Sequence, residues 1–89
     1  MNKVKVFKLN DYEWYAGYDL ESCIELAMQM TGMSREEVID DPFEETQERL
    51  DTLIFYDEEN DEKRSFSEEL RIIIESEEQL PTFFAGTEY

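Results

Sequence analysis

The sequence has no histidine, a single cysteine, two prolines, three glycines and only eight Lys and Arg in 89 residues. Without histidine it lacks the side chain that most often serves as a base near neutral pH, and the commonest transition-metal ligand. Cys23 has no second cysteine to pair with, so an intrachain disulfide is impossible and a reducing compartment fits. The glycines at 17, 32 and 86 are scattered, which excludes a glycine-rich phosphate loop. No apolar run approaches the ~20 residues of a membrane span. The opening MNKVKVF has basic residues but no apolar core of a signal peptide. The scarcity of Lys and Arg argues against direct binding to nucleic acid or an anionic membrane. The chain is therefore expected to be cytoplasmic and non-enzymatic, with no cofactor and no metal.

Acid and aromatic residues fill the space these absences leave. Twenty-four Asp and Glu give a formal net charge of −16, for which a basic partner is the natural complement. Six Phe, five Tyr, one Trp and a hydrophobic fraction of 40% set the chain apart from acidic disordered sequences, which are poor in such residues. Its length suits one domain with an adequate core, 1–89.

The pattern along the chain predicts an α+β fold. VKVFKL (4–9) and EWYAGY (13–18) read as strands, and NDY between them is turn chemistry, so a hairpin is expected. Asp19 stands at an N-cap position. Leu20, Cys23, Ile24, Ala27 and Met28 then mark an amphipathic helix over about 19–30, stopped at Gly32. Ser34 and Glu37 have capping-box spacing, but Pro42 keeps that helix short, and helical propensity returns around 44–50. TLIFYD (52–57) and EKRSF are strand-like, with turn chemistry between them. Ser65 and Glu68 repeat the capping spacing before a second main helix, about 66–78, whose apolar face is Phe66, Leu70, Ile73 and Ile74. These elements predict an antiparallel or mixed sheet of four or five strands packed with two main helices and short helical turns between 34 and 50.

Chemistry is sparse. Cys23 lies on an apolar stripe, where a structural thiol is a simpler reading than a nucleophile. DEENDE (57–62) partly resembles a calcium loop, yet Glu62 replaces the glycine that such a loop needs at its sixth position, and a solvated turn competes. In YEWY (12–15) the alternation assigns Trp14 to the core and Tyr15 to an amphipathic surface, where Tyr15 or Tyr18 is a candidate interface anchor. Met28, Met30 and Met33 read as core filling rather than a binding surface.

The candidate partner-binding residues are mainly acidic. Glu36, Glu37, Asp40, Asp41, Glu44, Glu45 and Glu48 crowd one stretch that contains no basic residue. Asp57, Glu58, Glu59 and Asp61 form a second acidic group. On a continuous helix, Glu36–Asp40, Glu37–Asp41, Asp41–Glu45 and Glu44–Glu48 would repel at i,i+4. Such a face is either merely solvated or used, as a row of carboxylates that imitates phosphates.

VFKLNDYEWYAG (6–17), DDP (40–42), LIFYDEEN (53–60), RSFSEEL (64–70) and LPTFFAGTEY (80–89) together resemble a group of short accessory proteins carried by phages, prophages and mobile elements. The resemblance spans nearly the whole chain and transfers no catalytic residue. It implies an inhibitor of host defence, of the anti-CRISPR or anti-restriction kind, acting in a bacterial cytoplasm as an acidic DNA mimic. The expected partner is a basic host protein, a CRISPR effector or another DNA-binding complex. The alternative is a small structural or regulatory phage module, homodimeric or not, whose acidity serves solubility; a third is an acidic metal-dependent enzyme. The closing TFFAGTEY is expected to be a structural strand covered on both faces, because Phe83 and Phe84 point to opposite sides; a recognition tail is the competing reading.

Overall fold

A computed structural model describes residues 3–57, 59 and 61–86. The order is β1 (Lys5–Asn10), β2 (Glu13–Gly17), α1 (Leu20–Thr31), α2 (Arg35–Val38), β3 (Phe43–Glu44), α3 (Gln47–Thr52), β4 (Ile54–Asp57), β5 (Glu62–Ser65), α4 (Phe66–Glu75) and β6 (Thr82–Gly86). The fold is α+β, as the alternation and helical periodicity predict. The chain divides into two compact units, one of residues up to Glu44 with those from Gln79 onward, the other of Glu45–Glu78.

In the first unit an antiparallel sheet runs β3-β1-β2-β6. The hairpin pairs Phe7 with Tyr15 and Lys8 with Trp14. Its turn is closed by Asn10, whose Oδ1 accepts from the Tyr12 amide at 2.9 Å, the local chemistry that favours Asn in turns. One sheet face carries Phe7, Leu9 and Tyr15, which join Cys23, Ile24, Ala27 and Val38 in a buried cluster. Helix α1 starts where Asp19 accepts from the Ser22 amide and stops at Gly32, with φ 73°. Ser34 and Glu37 make the full capping box of α2. Arg35 then forks onto both Glu21 oxygens at 2.6 Å each, which fastens α2 to α1.

The second unit contains α3, the antiparallel pair β4–β5 and α4. Ser65 caps α4 by accepting from the Glu68 amide, and Phe66 and Ile73 are buried. The Phe66 amide donates to the Leu53 carbonyl at 2.9 Å, which ties the start of α4 to the end of α3. Arg64, on β5, donates to Asp57 of β4 at 3.2 Å and to Glu69 of α4 at 3.1 Å.

Several sequence expectations need correction. The hairpin of 54–65 forms a sheet of its own, and the fourth strand of the main sheet is the two-residue β3. β6 completes that sheet at its edge, and of the two rings expected to be covered on opposite faces Phe84 is buried while Phe83 stays 40% exposed. Tyr15, not Trp14, is the fully buried ring of β2, because its side of the sheet faces the helices. Met28 packs on the core, but Met30 and Met33 are exposed. α4 ends at Glu75, before 78: Glu77 turns left-handed at φ 54°, and carboxylates in a last turn oppose the helix dipole. Ile74, assigned to the apolar face, is exposed although it lies within α4.

Candidate functional site

Helix α2 ends at Val38, and Asp41 adopts φ 56° before Pro42. The next helix begins only at Gln47. The like-charged i,i+4 pairs read from the sequence therefore never stack on a helix, and the repulsion they would cause is avoided. The stretch after α2 is held by the Asp40 amide donating to the Leu9 carbonyl at 2.8 Å. This hydrogen bond brings Asp40 beside the β1–β2 turn.

An open cleft of about 640 Å³ lies there, lined by Asn10, Asp11, Tyr12, Glu13, Met33, Glu37, Asp40, Phe83 and Gly86. All belong to the first unit, and none of the lining is basic. Asn10 organises it: Nδ2 donates to the Val38 carbonyl at 2.8 Å and to Glu13 Oε1 at 3.2 Å. The second Glu13 oxygen accepts from the Tyr15 hydroxyl at 3.5 Å. Glu37 Oε1 accepts from the Ser34 amide at 3.1 Å, and the hydrogen bonds with Ser34 hold its carboxyl below the usual range. Two of the four carboxylates are thus fixed in place by the fold itself. The lining also includes apolar side chains, with Tyr12 49% and Phe83 40% exposed. A methyl at Gly86 would come 3.0 Å from Phe83 Cζ, so its absence lets that ring lie against the strand.

The other sequence candidates scatter. Glu36, Asp41 and Glu44 are exposed on the same unit outside the cleft lining, Glu44 within 3.8 Å of Lys5. Glu45 is buried, with Arg49 at 3.4 Å, and offers no surface to a partner. Its assignment as a binding residue is corrected by that burial. Glu48, Asp57, Glu59 and Asp61 belong to the second unit. Asp57 is mostly covered and serves Arg64, and Asp61 accepts from the Tyr56 hydroxyl. Glu58 lies outside the described residues. Tyr15 is likewise corrected: it is fully buried, meets Phe83 edge-on at 5.4 Å, and cannot anchor an interface. Burial, reinforced by Glu13, pushes its phenol up to about 12.

Of the cleft lining, Asn10, Asp11, Tyr12, Glu13, Met33, Phe83 and Gly86 were not legible as site residues. For the turn residues the signal was the density of carboxylates in NDYE (10–13), which becomes meaningful only when α2 ends beside it. Among the described residues, no group of three His, Cys, Asp or Glu is placed to hold a metal ion. Burial pushes the Cys23 thiol up to about 12, far from a thiolate at neutral pH. No helix of the described residues is long and apolar enough to cross a membrane. In comparisons with known proteins, no family model, no curated protein and no solved structure matches this chain.

Proposed function

We propose that this chain is a non-enzymatic binding protein that docks an acidic surface onto a basic, nucleic-acid-binding surface of a partner protein and blocks it. The observation that carries the reading is the cleft, where Asp11, Glu13, Glu37 and Asp40 converge with no basic side chain among the lining. Across the first unit, eleven Asp and Glu stand against four Lys and Arg. Such a field attracts a cationic groove at long range and competes there with phosphates. The resemblance to short phage and mobile-element proteins supports a bacterial host CRISPR or restriction complex as owner of that groove.

The test is retention of partners from a nuclease-treated bacterial lysate at low and high salt. Asp11, Asp40 and Asp41 are reversed to Lys in the comparison protein, and Glu37 is kept because it caps α2. The wild type is expected to retain a basic protein that duplex DNA displaces, with retention falling steeply as salt rises. Equal retention by the charge-reversed protein rejects the reading.

A second reading is a homodimeric structural or regulatory module. It is favoured by Ile54, 61% exposed on β4, with Tyr56 also exposed. An apolar dimer interface would persist at high salt, which separates the two.

A further inference from the structure

We infer, resting on the docking function just proposed, that the cleft of the first unit receives an arginine side chain of the partner and selects it over lysine. Charge complementarity identifies the occupant as a cation: four carboxylates and no basic residue line the space. A second copy of this chain, itself at −16, is a poor candidate for that position. The walls then decide which cation.

The same lining includes Tyr12, Met33 and Phe83, each partly exposed. An ammonium is a compact, strongly hydrated point charge that gains little by leaving water for rings and a thioether. A guanidinium is planar, more weakly hydrated, stacks on aromatic faces, and presents a fork of donors that matches carboxylates. A cleft lined by both rings and carboxylates suits the second chemistry.

The site is also set before binding. Glu13 is held by Asn10 and by the Tyr15 hydroxyl, and Glu37 by the Ser34 amide. Asp40 is positioned by its own amide on the Leu9 carbonyl. Carboxylates already ordered lose less freedom on binding, so the cost of ordering falls mostly on the incoming side chain.

The experiment titrates the full-length, isotopically labelled protein with two short glycine-flanked peptides that differ only in a central Arg or Lys. Amide shifts are followed by nuclear magnetic resonance. The Arg peptide is expected to move the amides of Asp11, Tyr12, Glu37, Asp40, Phe83 and Gly86 saturably, and to bind about fivefold more tightly than the Lys peptide. Tyr12→Leu is expected to abolish that preference while leaving weak binding of both. Asp40→Asn should weaken both peptides. Equal affinity for the two peptides overturns the arginine inference yet leaves the acidic docking function standing. Shifts dispersed over the protein, or none in the cleft, also overturn the inference. The docking function fails separately, by equal retention of the charge-reversed protein.

Discussion

Gly17 and Cys23 show how much one atom matters at the scale of residues. A Cβ on Gly17 would fall 2.8 Å from Cys23 Sγ, closer than real Cβ atoms approach, and 3.2 Å from Pro81 Cβ, a tight contact. Gly17→Ala is expected to destabilise the fold by about 1–3 kcal/mol, the usual cost of overpacking. Cys23→Ala removes the sulfur that collides, so the double variant should regain part of the loss. Urea unfolding of the four proteins checks this; simple additivity of the two losses would show that the contact is not the cause. The same strand shows the limit of residue-level reading. Alternation correctly separates Trp14 from Tyr15, but period two does not say which side faces the helices. The structure places Lys8 5.4 Å from the ring centre of Trp14 and buries Tyr15 instead.

Elements defined by short-range chemistry follow the sequence closely. Asp19, Ser34 and Ser65 all accept from the amide three residues on, at the starts of α1, α2 and α4. Each such cap is worth about 1 kcal/mol and needs only neighbours in the chain. Strand β6 is different, because its position depends on pairing with β2 through Glu13–Gly86, Trp14–Ala85 and Tyr15–Phe83. Ending the chain at Pro81 removes that ladder together with buried Phe84 and Ala85. Burial of one Phe alone contributes about 1.5–3 kcal/mol. The truncated protein is expected to lose hydrogen-exchange protection at Tyr15 and Ala16, and its cooperative unfolding transition. Retained protection and a sharp transition, with only partner binding lost, would restore the recognition-tail reading.

For the whole molecule, charge sets the pH dependence, and the shifted carboxyls act in opposite directions. Asp19, Glu21, Glu37 and Asp51 are held below their ordinary values by hydrogen bonds, from the Ser22 backbone, Arg35, the Ser34 backbone and Ser67 respectively. Their stabilisation is present above the ordinary carboxyl range and is lost as pH falls through the depressed folded values. Glu69 is raised, first by burial and then by Asp57 and Glu78, against the pull of Arg64. Its folded form takes up a proton before the unfolded form does, so acidification through the raised value adds stability. Tm is therefore expected to rise as pH falls from neutrality towards the ordinary carboxyl range and to fall once pH drops below that range. Glu69→Gln should flatten part of the rise. A Tm that falls steadily from neutrality would contradict this balance.

The sequence by itself determined the caps, the apolar stripe of α1, the alternation of β1 and β2, and the −16 charge. All of these depend on composition or on contacts within a turn or two. Only the tertiary structure decided that Tyr15 is core, that β6 is an edge strand, and that β4–β5 stand as a sheet of their own. It also decided which carboxylates converge. Asp11 and Glu13 meet Glu37 and Asp40 because Asn10 bonds the Val38 carbonyl and Asp40 bonds Leu9. Long-range register fixes these contacts, and no local pattern encodes it.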